Sequence, residues 1–194
     1  MKTKAAAFTI RLATDEDIAI LEQLIKDSVR VLQAPDYTVE QRETALRMVY
    51  GVDTQLIRDG AYFAVETEGK IVGCGGWSRR KTLYGGDHHA SREDALLNPE
   101  TDPARIRAFF VRPGAERRGI GSAILQASEA AAVAEGFKSF ELRSTLTGVA
   151  FYRAHGYAEI DPIEVALTDG VILQVVRMAK AVVKTDSLRA EAHP

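Results

Sequence analysis

The chain contains a single cysteine, Cys74, so no disulfide can form within it. Cys74 lies in the apolar stretch KIVGCGGW with no histidine nearby in the sequence, and we expect a buried thiol that packs as a small hydrophobic side chain. No apolar run is long enough to cross a membrane, and the basic stretch MKTKAAAFTIR lacks the apolar core of a signal peptide. We therefore expect a cytoplasmic protein without a membrane partner.

The chain also lacks a large excess of positive or negative charge. A net charge of −2 over 194 residues gives no electrostatic reason to expect nucleic acid as a partner. Apolar residues make up 46% of the chain and charged residues 27%, which is typical of a globular domain with a sizeable core.

Hydrophobic periodicity and turn residues predict the order of the elements. The first strand ends before Thr14, which suits a helix N-cap, and a second helical segment is interrupted at Gly51. The predicted strands are 8–13, 61–67, 70–77, 104–112, 138–143, 158–167 and 171–178. The predicted helices run from 14 to near Pro35, over about 39–57, over 119–135, and over a short segment that ends near Gly156.

This order predicts an α/β (α+β) fold with one mixed, mostly antiparallel sheet of about seven strands flanked by about four helices. We expect one domain over residues 8–180, followed by a C-terminal tail over 181–194. The polar segment 78–103 predicts a long loop, and loops of this length in a single domain are usually functional or disordered.

The stretch VRPGAERRGIGSAIL carries the strongest local signal, because an apolar strand ends there and a glycine-rich turn opens an alanine-rich helix. A helix N-terminus presents free N–H groups and a partial positive charge, which together bind phosphate. We expect the main chain of this turn, with its two arginines, to bind a phosphate group through Arg117, Arg118, Gly119, Ile120, Gly121 and Ser122.

Two common phosphate motifs do not fit this turn. A Walker loop needs a lysine directly after its last glycine, and a dinucleotide fingerprint needs a small residue where Ile124 stands. A nucleotide-binding module is therefore disfavoured. A tight strand-to-helix turn with solvated arginines stays open as a purely structural explanation.

The same stretch resembles the acetyl-CoA-binding signature of the GNAT N-acetyltransferases, a Gln/Arg-x-x-Gly-x-Gly/Ala loop after a strand that ends in Val-x-Pro. Further along the chain, TGVAFYRAHGY resembles the second element of that family, a short helix of the form Tyr-x-x-x-Gly-Phe/Tyr. The segments GWSRR and LTDGVILQVVRMAK are similar to stretches in a bacterial subgroup, so the resemblance covers roughly residues 8–180. One position departs from the signature: Glu116 replaces the usual Gln or Arg, and we expect its carboxylate to point outward.

The resemblance implies that two central strands splay apart and that acetyl-CoA, with no metal, lies between strands 104–112 and 138–143. It implies that main-chain groups of Phe110 and Val111 bind the pantetheine arm and that one N–H polarises the thioester carbonyl. It also implies that Tyr152 is the general acid of a direct acetyl transfer to an amine. A homodimer is expected by analogy alone.

The general base and the acceptor stay open. Many family members carry a Glu at about the position of Arg105, and the remaining candidates are Glu141, which we expect to be solvated, the loop residues Asp87, His88 and His89, or a water molecule. The acceptor is a small-molecule or peptide amine, and Tyr37 and Trp77 either line its pocket or belong to the core. A non-catalytic acyl-CoA-binding regulatory module on the same fold is the alternative function.

Overall fold

One seven-stranded sheet organises the chain, with its strands in the order β1-β2-β3-β4-β5-β7-β6. The computed structural model describes residues 8–82, 85–87 and 95–183. All neighbouring strands are antiparallel except β4 and β5, which are parallel. The strands are β1 (Thr9–Leu12), β2 (Tyr62–Thr67), β3 (Lys70–Ser78), β4 (Ala104–Val111), β5 (Ser139–Thr145), β6 (Ala158–Ala166) and β7 (Ile172–Ala181).

Five α-helices accompany the sheet in the described part of the chain, where the sequence predicts about four. The difference arises at Gly51, where the second helical segment divides into two helices with separate N-caps, Thr38 and Asp53. The helices are α1 (Ile18–Leu32), α2 (Val39–Met48), α3 (Thr54–Arg58), α4 (Ile120–Ala134) and α5 (Leu146–Ala154). None of the helices within the described residues is both long and apolar enough to cross a membrane.

The sheet and its connections otherwise follow the sequence prediction, with shifts of one or two residues at most strand ends. Strand β7 continues to Ala181, one residue into the predicted tail, and 184–194 lie outside the described residues. Within the long 78–103 segment, Arg80 and Leu96 form a bridge and Arg80 pairs with Asp59, which ties both ends of the segment to the domain.

Helix α4 packs very closely on β3 because β3 lacks side chains at the contact. A Cβ atom at Gly73 would stand 2.5 Å from Cγ2 of Ile120, and one at Gly75 would stand 2.9 Å from Cγ2 of Ile124. These glycines let the start of α4 pack directly against the sheet. This contact fixes the position of the glycine-rich turn relative to the strands.

Strand β4 contains a bulge near its middle. Gly76 faces Arg107 and Cys74 faces Phe110, so two β4 residues, Ala108 and Phe109, oppose a single residue of β3. Ala108 has a positive φ of 56°, and the hydroxyl of Tyr62 donates to its carbonyl oxygen over 3.2 Å. Cys74 is fully buried beside this hydroxyl, as expected from its apolar surroundings, and burial raises the pKa of its thiol to about 12.

Strands β4 and β5 pair over a very short distance. Ala104 faces Phe140 and Arg105 faces Glu141, and beyond this point the two strands share no further register. The expected splaying of the central strands is therefore confirmed. The gap opens in the direction in which both strands run, toward the turn before α4 and the start of α5.

Candidate functional site

A cleft of about 740 Å³ occupies the gap between β4 and β5. Its walls come from β4, the turn before α4, β5 and α5, and it extends to the ends of α1 and α2 and to Gly85 and Gly86. The volume lies within the range typical of small-molecule sites. The cleft is therefore the candidate functional site.

The glycine-rich turn forms one end of the cleft with the geometry of an anion site. Arg117 and Gly119 both have positive φ, 58° and 83°, and Gly119 is the N-cap of α4. Such a turn directs successive N–H groups to one side. Of the predicted phosphate-binding residues, Arg117, Gly119, Ile120, Gly121 and Ser122 line the cleft, whereas Arg118 is exposed outside its lining. Glu116 is exposed at the rim.

Gly121 has a second role that the motif alone does not indicate. A Cβ at this position would lie 3.2 Å from the ring of Phe151, so the glycine allows α4 and α5 to approach each other beside the cleft. The close approach brings the turn and α5 into one wall.

The main chain of β4 presents alternate residues to the cleft. Arg112 N–H donates to the Val72 carbonyl over 2.8 Å, so the ladder alternation makes the Cys74–Phe110 pair the next hydrogen-bonded pair. The main-chain groups of Phe110 thus face β3, whereas those of Val111 and the carbonyl group of Phe109 face the gap. Phe110 and Val111 both line the cleft, together with Phe109, and their predicted contact with the pantetheine arm stays a prediction.

Tyr152 lies in the middle of the cleft wall, on α5, with 9% of its surface exposed. Its ring packs between those of Phe109, Phe151 and Tyr157 at centroid distances of 6.1, 5.1 and 5.7 Å. Within the described residues no hydrogen bond engages its hydroxyl. Burial raises the pKa of Tyr152, so the phenol carries its proton at neutral pH.

A hydrogen-bonded pair beside the turn was not foreseen from the sequence. The Ser122 hydroxyl lies 3.0 Å from Nε2 of His155, and Nδ1 of the same imidazole lies 2.8 Å from the Phe151 carbonyl oxygen. The two residues belong to the two matching motifs, and only the packing of α5 on α4 brings them together.

The opposite end of the cleft is formed by α1, α2 and the chain that follows them. Gln33 and Tyr50 line it, and their buried polar groups interact with each other. Tyr37 and Trp77 belong to the core instead. The Tyr37 hydroxyl donates to the Gln174 carbonyl over 2.6 Å and accepts from Leu146 N–H over 2.8 Å, and Trp77 packs on Phe137.

The candidate bases are arranged differently from expectation. The prediction that Glu141 is solvated is wrong, because it is 6% exposed and contacts both Arg105 and Arg177, at 2.9 and 2.8 Å. Burial raises the pKa of Glu141, but the bond from Arg177 and the charge of Arg105 outweigh burial and leave the pKa below its usual value. Glu141 is thus an ion-paired structural group at the root of the gap and is not part of the cleft lining.

Asp87 also has a structural contact, since its carboxylate accepts from Thr54 N–H over 3.0 Å at the start of α3. His88 and His89 lie outside the described residues. Among the described lining residues, Glu116 is the one carboxylate, and it stands at the end formed by the glycine-rich turn. Within the described ranges, no group of three or more His, Cys, Asp or Glu side chains is placed to hold a metal ion.

The comparisons with known proteins decide the family. The model of the acetyltransferase (GNAT) family matches residues 26–157, which is more than half of the chain and includes both motifs of the cleft. The chain belongs to the GNAT acetyltransferase family. No curated protein is similar enough in sequence to count as a match.

Solved structures of GNAT enzymes share the fold of this GNAT chain at low sequence identity. A GCN5-related N-acetyltransferase of Rhodopseudomonas palustris has a TM-score of 0.66 and 21% identity, over 94% of this chain and 99% of that one. The PaiA N-acetyltransferase of Thermoplasma acidophilum, in complex with coenzyme A, has a TM-score of 0.63 and 15% identity over 91% and 99%. A ribosomal-protein-alanine N-acetyltransferase of Brucella melitensis has a TM-score of 0.60 and 19% identity over 90% and 99%.

Proposed function

We propose that this GNAT protein transfers an acetyl group from acetyl-CoA directly to a primary amine of a small molecule or peptide. The observation that carries the proposal is the gap between β4 and β5, which joins an anion-binding turn at one end to a protonated tyrosine in the middle. Acetyl-CoA supplies the thioester whose acetyl group is transferred. The residues of the chain would bind it, orient it and assist the proton transfers.

Main-chain groups and charged side chains would both contribute to binding the coenzyme. The N–H groups from Arg117 to Ser122 would hold the diphosphate at the mouth of α4, and Arg117 and Arg118 would add positive charge beside it. The main-chain groups of Val111 and the carbonyl group of Phe109, which face the gap, would bind the pantetheine arm. A gap-facing N–H on β4 would also polarise the thioester carbonyl and stabilise the negative charge that develops on its oxygen.

Tyr152 would act on the departing sulfur. A raised pKa keeps the phenol protonated across the neutral range, so its O–H is available as a donor to the thiolate. The same raised pKa makes Tyr152 a weak acid, so we expect its contribution to come mainly from a hydrogen bond that strengthens as negative charge develops on the sulfur.

A water molecule in the cleft would accept the proton that the acceptor amine loses. No carboxylate among the described lining residues lies near the middle of the cleft, and Glu141 is held by two arginines. An amine that loses its proton to a water molecule in the cleft needs no side-chain base. Gln33 and Tyr50, whose buried polar side chains interact at the far end of the cleft, are suited to orient the acceptor.

A non-catalytic acyl-CoA-binding module is the second candidate, and the lack of a carboxylate in the middle of the described cleft favours it. One experiment separates the two functions. Calorimetry measures coenzyme A binding, and release of free thiol from acetyl-CoA is followed with a panel of small amines and N-terminal peptides. Binding with turnover supports the transferase, binding without turnover across the panel supports the module, and absence of binding overturns both.

A further inference from the structure

The imidazole of His155 is held between two oxygen atoms of different kinds. Its Nδ1 lies 2.8 Å from the main-chain carbonyl of Phe151, and its Nε2 lies 3.0 Å from the hydroxyl of Ser122. The ring is also tilted against the ring of Phe151 at a centroid distance of 4.4 Å. Both ring nitrogens are therefore engaged, and the ring has little freedom to turn.

These contacts fix the tautomer of the neutral ring. A carbonyl oxygen only accepts hydrogen bonds, so Nδ1 must carry the proton. In the neutral imidazole Nε2 is then an acceptor, and the Ser122 hydroxyl must donate to it. In that state the hydroxyl proton points at His155, and the serine oxygen has only lone pairs to offer to the cleft.

A second proton on the ring reverses the direction of this bond. Nε2 becomes a donor to the Ser122 oxygen, and the hydroxyl proton is released to point elsewhere. Ser122 lines the cleft within the first turn of α4, where the free N–H groups of the helix converge. A bound diphosphate would accept the released hydroxyl proton in a charge-assisted hydrogen bond.

We propose that His155 is a positioning residue for coenzyme binding, and that it turns the Ser122 hydroxyl into a donor toward the diphosphate when the imidazole takes up a second proton. The inference rests on the proposed function, because it takes the coenzyme diphosphate as the anion at this turn. Binding of the coenzyme then takes up protons, and it tightens as the pH falls.

The charged groups on the surrounding elements do not provide an equivalent switch. Glu116, Arg117 and Arg118 are the charged residues of the turn before α4, and all three side chains are exposed. On α5, Arg153 pairs with Glu159, and Lys180 of β7 pairs with Glu129 of α4 at 2.8 Å. Among these groups, His155 is the one that contacts the Ser122 hydroxyl.

Calorimetric titration of the full chain with dephospho-coenzyme A tests the proposal, because this probe keeps the diphosphate but lacks the 3′-phosphate that titrates in the same range. In the wild type we expect the Kd to rise about tenfold from about pH 5.5 to about pH 8.5, which corresponds to about 1.4 kcal/mol. Repeating the titration at neutral pH in buffers of different ionisation enthalpy should reveal proton uptake on binding. In Ser122→Ala the pH dependence should fall to less than about threefold and proton uptake should largely disappear.

Two further variants complete the experiment. His155→Gln should bind with the same Kd at both pH values. Ser128→Ala removes a buried hydroxyl of the same helix that has no hydrogen-bond partner in the described part of the chain, and it should behave like the wild type. Nitrogen NMR of the imidazole should show the proton on Nδ1 at high pH, with the signal assigned by its loss in His155→Gln.

The outcomes separate this inference from the proposed function. Full pH dependence in Ser122→Ala but not in His155→Gln would mean that the imidazolium acts through its charge alone, which overturns the positioning role. Coenzyme binding that is tight but independent of pH in the wild type, or a ring proton on Nε2, overturns this inference and leaves the proposed function intact. Absence of binding at every pH overturns both.

Discussion

Arg107 on β4 and Asp53 at the N-terminus of α3 form an ion pair in which both side chains are almost completely buried. Nη2 of Arg107 lies 2.8 Å from Oδ2 of Asp53, and the side chains are 3% and 0% exposed. Asp53 also accepts from Gln55 N–H over 3.1 Å, and Arg107 donates to the Gly85 carbonyl over 2.7 Å. The pair thus ties α3 and the segment after β3 to the strand position just before the β4 bulge, and it fixes one wall of the cleft.

Asp53→Asn should destabilise the fold strongly. The substitution keeps the size of the side chain but leaves the buried guanidinium of Arg107 without its counter-charge, and such losses typically cost about 3–5 kcal/mol. Urea denaturation followed by circular dichroism measures the change in the free energy of unfolding. Glu43→Gln is the matched control, because Glu43 pairs with Arg30 on the surface, where both side chains are at least one-third exposed. Equal stabilities of the two variants would contradict the role assigned to the buried pair.

Gly121→Val should abolish most coenzyme binding by a steric route. The new side chain would meet the ring of Phe151, whose nearest atom lies 3.2 Å from the position of a Cβ, and α4 and α5 would be pushed apart beside the glycine-rich turn. We expect coenzyme A affinity to fall at least about tenfold, which corresponds to about 1.4 kcal/mol. Calorimetry measures the affinity.

The compensating variant identifies the cause of that loss. Phe151→Leu removes the distal ring atoms that a side chain at Gly121 would meet, so the double variant should regain part of the affinity that Gly121→Val loses. If the double variant binds no better than Gly121→Val, the glycine is required by the ligand and not by the packing of α5.

Tyr152→Phe should lower turnover and leave coenzyme affinity unchanged. The phenyl ring keeps the packing against Phe109 and Phe151, and only the hydroxyl that we propose as donor to the thiolate is lost. Removing an acid catalyst typically costs about a hundredfold or more, and we expect at least about tenfold because the role proposed for Tyr152 is chiefly that of a hydrogen-bond donor. Tyr157→Phe is the control, since its hydroxyl donates to Glu129 outside the cleft. Equal turnover in Tyr152→Phe and the wild type would remove the catalytic role.

Most of the fold is readable from the sequence because strands and helices here follow local rules. The hairpin turn at Glu68 and Gly69, both with positive φ, and the glycine-rich turn before α4 are short-range features that residue type determines. The interruption at Gly51 is visible as well, but whether it bends or divides a helix depends on Asp53, whose capping and ion pair with Arg107 are set by the tertiary structure.

The site is only partly readable, because its contacts join residues far apart in the chain. The motifs predict which segments meet the coenzyme, yet alternation alone does not predict which β4 residues face the gap, since the bulge at Ala108 shifts the register. Glu141 is a second residue whose environment the sequence alone does not predict. A strand pattern suggests a solvated carboxylate, and only the pairing with β4 and β7 brings Arg105 and Arg177 to it.

Glu141→Gln should destabilise the protein in a pH-dependent way. In the folded state Arg177 and Arg105 hold the pKa of Glu141 below its usual value despite burial, so the ionised carboxylate contributes stability above the pKa of the unfolded chain, about 4.3. This contribution is lost as the pH falls through the lower, folded-state pKa. Thermal unfolding should therefore show a lower Tm for Glu141→Gln at about pH 7 and a difference that narrows below about pH 4. Glu159→Gln is the control, because it breaks a surface pair with Arg153 and should change the Tm little at either pH. A Tm difference for Glu141→Gln that is constant with pH would refute the ion-paired state of Glu141 at the root of the gap.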